Sequence, residues 1–100
     1  MLMEVEFANK DLARLESDPA YTDNRPPQIV RKFRKTMNHL RQAVVMTDLY
    51  SMKSYHLEKL RKDRKGQHSI KLNDQFRLVL QFVDRGNQQV IRVIEIEDYH

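Results

Sequence analysis

Residues 68–82 read HSIKLNDQFRLVLQF, two apolar/polar alternations joined by Asn73, Asp74 and Gln75. A period of two is the signature of a strand with one buried face, and an Asn-Asp pair between two such runs predicts a tight hairpin. In the second run Phe76, Leu78, Leu80 and Phe82 share one face, while Arg77, Val79 and Gln81 share the other. DRGNQQ (84–89) follows as a second turn, with Gly86 suited to a positive φ. VIRVIEIEDYH (90–100) is then a third strand, and the three together form a meander.

Upstream, Met3 to Phe7 alternates apolar and acidic residues, a short strand. Asn9 stands as an N-cap before a short helix bearing Leu12 and Leu15. Pro19, Pro26 and Pro27 end it, and Asp23 or Asn24 can cap the next helix. From Gln28 to about Val45, Ile29, Val30, Phe33, Met37, Leu40 and Val44 recur every three or four residues, the stripe of a long amphipathic helix. Thr47 to Leu60 reads as a helical turn and a connecting segment. The predicted class is α+β in a single domain over residues 1–100. An N-terminal strand and two helices cover one face of a mainly antiparallel sheet (β-α-α-β-β-β), and the other face, carrying Arg77, is left open.

The chain has no cysteine, which excludes disulfides, thiolate metal sites and cysteine nucleophiles. No apolar run approaches the ~20 residues of a membrane span, and the N-terminus lacks a signal-peptide pattern, so a cytoplasmic protein without membrane contact is expected. The net charge of +4 is uneven. Residues 1–30 hold three basic and six acidic side chains, residues 31–85 fourteen and five, and residues 86–100 one and three. The middle segment can attract polyanions, or it can be a solvated face that serves solubility. Between Arg31 and Arg41 the helix carries no acid at all.

The last strand closes on Asp98, Tyr99 and His100. An imidazole titrates near pH 6.5 and exchanges protons at physiological pH, and a guanidinium such as Arg77 holds phosphate bidentately. Base, acid, phenol and guanidinium together can cleave an RNA phosphodiester by 2′-hydroxyl attack without a metal or other cofactor. The alternatives are a solvated chain end and an Arg77 that pairs with Glu95 or Glu97. The four histidines show no metal-ligand spacing beyond Asp98/His100, which is too few for a closed site.

LEKLRKDRKGQHSIKLNDQFRLVLQF (57–82) followed by VIEIEDYH (93–100) resembles the HigB toxins of type II toxin–antitoxin systems, within the RelE/ParE superfamily. The family pattern runs L-K-G-x-x-x-G, then S-I-R-x-N, then an aromatic residue followed by Arg, and ends in D-Y-H. It is met here by Leu60, Arg61, Lys62 and Gly66; by Ser69, Ile70, Lys71 and Asn73; by Phe76 and Arg77; and by Asp98, Tyr99 and His100.

The resemblance implies a small RelE-like fold and a ribosome-dependent mRNA endoribonuclease, an mRNA interferase that arrests translation and growth. It assigns phosphate or transition-state contacts to Arg61 and Arg77, and proton transfer and positioning to Asp98, Tyr99 and His100. It gives Arg31, Arg34, Lys35, Lys59, Lys62, Arg64, Lys65 and Lys71 a partner in ribosomal RNA and mRNA. It also implies a HigA-like helix-turn-helix antitoxin, through which alone the chain would meet operator DNA.

Two departures stand out. Arg61 replaces the family's lysine and Lys62 its glycine; arginine keeps the charge but cannot donate a proton. They motivate one alternative, an attenuated homologue that binds antitoxin and ribosome but cleaves poorly. A ParE-like, non-enzymatic inhibitor of DNA gyrase is another.

Overall fold

The computed structural model of the chain describes residues 3–43, 48–49, 55–59 and 66–98. Its elements are β1 (Glu4–Phe7), α1 (Lys10–Ser17), α2 (Pro27–Gln42), β2 (Glu58–Lys59), β3 (Gln67–Lys71), β4 (Phe76–Arg85) and β5 (Gln88–Asp98). The α+β order expected from the sequence holds, with β2 added. Two residues are too few to display a period, so β2 has no sequence signature. The sheet order is β1-β5-β4-β3-β2, with β1 parallel to β5 and every other pairing antiparallel. No helix among the described residues is long and apolar enough to cross a membrane.

Both hairpins follow from their turn residues. The Asn73 side chain accepts the backbone N–H groups of Gln75 (2.8 Å) and Phe76 (2.7 Å), turning the chain from β3 into β4. Between β4 and β5 the pair Arg85/Gln88 closes a two-residue loop whose first residue, Gly86, has φ +62°. A hairpin with glycine at that position matches the twist of the flanking strands.

Helix α1 starts where Asn9 accepts the Asp11 N–H at 2.7 Å. Helix α2 starts differently from the sequence expectation. Pro26 occupies the cap position and no side chain caps the helix. Asp23 and Asn24 instead take left-handed φ values of 53° and 55°. Asp23 there accepts the Tyr21 hydroxyl (3.0 Å) and pairs with Arg25 (3.1 Å). Two successive prolines have no N–H to satisfy, so the helix start needs little capping.

The apolar stripe of α2 (Ile29, Val30, Phe33, Met37, Leu40) packs in one core with Leu12 and Leu15 of α1 and with Ile70, Leu78, Leu80, Ile91, Val93 and Ile96 of the sheet. Val44 lies outside the described residues. Arg34, expected to face RNA, belongs to this architecture instead. Its guanidinium donates to the backbone carbonyls of Leu15, Asp18 and Tyr21, each at 3.0 Å. Those carbonyls lie at and beyond the end of α1, where helix geometry leaves acceptors without donors. Arg34 therefore fastens α1 and the loop after it to α2.

One irregularity sets the faces of the sheet. Val79 pairs with Glu95 but Leu80 pairs with Val93, so Ile94 is an extra residue in β5. Such a bulge shifts the side-chain alternation by one position. Ile91 and Val93 before it and Ile96 after it can thus all enter the core, although they lie on opposite phases of a regular strand.

Two outcomes are expected. Arg34→Met should lower the unfolding free energy by roughly 2–4 kcal/mol in urea titrations, whereas an arginine serving only RNA would change it by less than about 0.5 kcal/mol. The second concerns His68, a buried core-side residue edge-on to Phe82 (4.9 Å between ring centroids). Burial lowers its pKa below 6.5; the Gly66 backbone opposes that shift and the charge of Lys59 adds to it. The unfolded chain then binds a proton that the folded chain refuses, so stability falls as pH drops below about 6.5. The urea midpoint should drop between pH 7.5 and pH 5, and His68→Leu should flatten that slope.

Candidate active site

The sheet face away from the helices is built from cross-strand rows, and it is not open throughout as the sequence suggests: Ser69 and Val79 at its centre are buried. Lys71, Arg77 and Glu97 form one, and Glu58, Ser69, Val79 and Glu95 form the next. A third joins Gln67, Gln81, Arg92 and Glu6. In this last row charge is largely compensated: Arg85 binds both carboxylate oxygens of Glu6 (2.6 and 3.0 Å), and Arg92 lies 3.6 Å from the same group. That network ties β1 to β4 across β5.

At the other end Arg77 is the organising residue. Its side chain is only 12% exposed. Nε donates to the Ser69 hydroxyl at 2.8 Å, and one Nη donates to the His56 carbonyl at 2.6 Å. The same Nη lies 3.8 Å from the Glu58 carboxylate, whose side chain is 63% exposed. His56 has φ +47°, a left-handed conformation that a residue with a side chain rarely adopts. β2 explains how these groups converge: pairing Glu58 with Ser69 brings the segment that contains His56 and Glu58 beside Arg77. Lys71, cross-strand from Arg77, is held by Asp74 at 3.0 Å.

The residues singled out from the sequence divide accordingly. Arg77 and Lys71 are together on the face away from the helices. Asp98 pairs with Phe76, so it lies on the core-side face and is not brought together with Arg77. It is exposed, and its carboxylate accepts from the Gln75 side chain at 3.1 Å. The bulge at Ile94 is the reason: it gives Arg77's face to Glu95 and Glu97. Lys59 pairs with His68 and falls on the core-side face at the sheet edge, exposed. Arg31 and Lys35 are exposed on the side of α2 that points away from the sheet, so helix and sheet separate them from Arg77. Arg34 is occupied as described above. Arg61, Lys62, Arg64, Lys65, Tyr99 and His100 lie outside the described residues.

Sequence reasoning missed three contributors: the His56 carbonyl, Glu58, and the role of Ser69. A backbone carbonyl leaves no mark in a sequence. The hairpin register about Asn73 does place Ser69 diagonal to Arg77, and a serine fully buried in a strand calls for a polar partner. Among the described residues no group of three or more His, Asp or Glu side chains could hold a metal ion.

A family model described as the RelE-like toxin of type II toxin–antitoxin system HigB matches residues 5–100. No curated protein matches the sequence. Among solved structures, the YoeB/ParE toxin from Agrobacterium tumefaciens is similar with a TM-score of 0.58 at 15% identity, over 98% of this chain and 100% of that one. The YoeB dimer from Staphylococcus aureus is similar with a TM-score of 0.52 at 19% identity, over 100% of this chain and 99% of that one. At such identities the likeness is one of fold.

Proposed function

The chain belongs to the HigB-like family of RelE-like toxins of type II toxin–antitoxin systems, and from that premise we propose that it is a ribosome-dependent mRNA endoribonuclease. The observation that carries the proposal is Arg77: a permanent cation on the sheet face away from the helices, gripped by neighbouring groups and set beside an exposed carboxylate. In the proposed reaction a base takes the proton of a ribose 2′-hydroxyl and the freed oxygen attacks the adjacent phosphorus. The bond to the 5′-oxygen breaks, and an acid returns a proton to that leaving oxygen. A 2′,3′-cyclic phosphate and a 5′-hydroxyl result, with no metal or other cofactor taking part.

Arg77 stabilises the charge that develops on the phosphoryl oxygens. Glu58, beside it, is the carboxylate suited to accept the 2′-hydroxyl proton. Arg61, Tyr99 and His100 enter through the family resemblance, Arg61 as a second phosphate contact and His100 as the acid. Asp98 enters as part of the terminal Asp98-Tyr99-His100 motif and not as a neighbour of Arg77. Lys59, Lys62, Arg64, Lys65 and Lys71 are proposed to hold ribosomal RNA or mRNA; Arg31 and Lys35 would meet a separate RNA surface. The partner within the cell is a HigA-like helix-turn-helix antitoxin, and the site of action is the cytoplasm, where ribosomes are.

Arg61 and Lys62, in place of the family's Lys-Gly, favour a second reading: a homologue that binds ribosomes but cleaves slowly.

Wild-type protein expressed in cells lacking the antitoxin is expected to arrest growth, and Arg77→Ala and His100→Ala to relieve the arrest. Equal arrest by all three would contradict the catalytic assignment, and inhibition of gyrase supercoiling by purified protein would favour the ParE-like alternative. Glu58→Gln should lower the cleavage rate by roughly 10²-fold or more, the usual contribution of a general base; a rate within about threefold of wild type would remove Glu58 from that role.

A further inference from the structure

We propose that Ser69 is a positioning residue for the cleavage reaction, acting through Arg77; the inference rests on the ribonuclease reading above. A guanidinium is a flat fork of five donors, and its use against a phosphate depends on the direction of its plane. Here two points along one edge of the fork are fixed. Nε donates to the Ser69 hydroxyl at 2.8 Å, and an Nη donates to the His56 carbonyl at 2.6 Å. Two such anchors fix the plane before any substrate arrives.

The anchors are themselves held. Ser69 is fully buried on β3, between β2 and β4, so its hydroxyl has little room to move. His56 holds its carbonyl toward Arg77 from a left-handed backbone conformation, φ +47°, which costs energy in a residue that is not glycine. A strained residue and a fully buried hydroxyl converge on one side chain that is itself 12% exposed. This is how a site keeps a cation pre-oriented, so that reaction requires no reorganisation of the group. β2 serves the same end: its pairing of Glu58 with Ser69 carries His56, two residues earlier, into reach of the guanidinium.

Ser69 does not touch substrate in this account. Without its hydroxyl the Nε loses a partner and the fork can rotate, and misplacement by about 1 Å can cost up to ~100-fold in rate. Ser69→Ala should therefore lower kcat by roughly 10- to 100-fold and leave KM within about threefold, while Ser69→Thr, which keeps a hydroxyl, should restore most of the rate. The loss should vanish in an Arg77→Ala background, because a residue that acts only through Arg77 has nothing left to position.

The test combines these rates with ¹H–¹⁵N spectra of the purified full-length chain. The Arg77 Nε–H signal is assigned by its disappearance in Arg77→Lys. It should exchange with water more slowly than the Nε–H of the exposed Arg31, and Ser69→Ala should abolish that protection. Melting curves identify any variant that fails to fold, and Ser69→Thr then supplies the comparison. Unchanged protection in Ser69→Ala would overturn the proposal, as would an unchanged kcat or an equal loss in the Arg77→Ala background. A wild-type chain that cleaves no mRNA while showing the protection would instead overturn the ribonuclease reading.

Discussion

The ladder joining β4 to β5 slips by one residue between Val79 and Leu80, and the composition of the sheet face away from the helices depends on that slip. Side chains in a strand alternate, so one extra residue exchanges the two faces for everything after it. Before Ile94, β5 gives Ile91 and Val93 to the core; after it, Ile96. Glu95 and Glu97 consequently share a face with Arg77, and Asp98 does not. A bulge beside a functional face is a common device for re-aiming side chains. Here it assembles an arginine and carboxylates on a sheet whose opposite side is occupied by two helices.

The basic charge of the middle segment proves divided in purpose. Arg34 fastens α1 through three carbonyls, and Arg41 binds Glu16 through both carboxylate oxygens at 2.6 and 2.7 Å. Arg31 and Lys35 face away from the sheet, and Arg77 faces the other way. Among the described residues, the basic charge resolves into architectural arginines, exposed cations on the outer side of α2, and an Arg77 set among carboxylates. Arg77 differs from the exposed cations in being mostly withdrawn from water. Electrostatic interactions strengthen as solvent is excluded, so one desolvated and oriented guanidinium acts on a phosphate more strongly than several mobile surface lysines.

Much of this fold could be read in advance. The alternation in β4, the stripe of α2, the Asn9 cap, the Asn73 turn and Gly86 each express a local rule, and tertiary contacts do not override them. The candidate site was legible in part, as a position and not as a function. Arg77 stands out as a cation among the apolar residues that open β4. The bulge was hidden because Val90, Ile91, Val93, Ile94 and Ile96 follow both phases, and only the pairing with β4 chooses between them. Arg34 misled because a charge on a helix reads alike whether it meets solvent, RNA or a backbone carbonyl. β2 and the His56 carbonyl depend on a contact between distant segments that no local pattern encodes.

The proposed reaction makes one chemical statement open to direct measurement: the 2′-oxygen of the message is itself the nucleophile. The most direct test is the chemistry of the ends produced when purified protein meets translating ribosomes on a labelled mRNA. Attack by the 2′-oxygen requires fragments ending in a 2′,3′-cyclic phosphate, or the 3′-phosphate formed by its hydrolysis, followed by fragments that begin with a 5′-hydroxyl. Fragments with 3′-hydroxyl and 5′-phosphate ends would contradict it, and so would mRNA that stays intact.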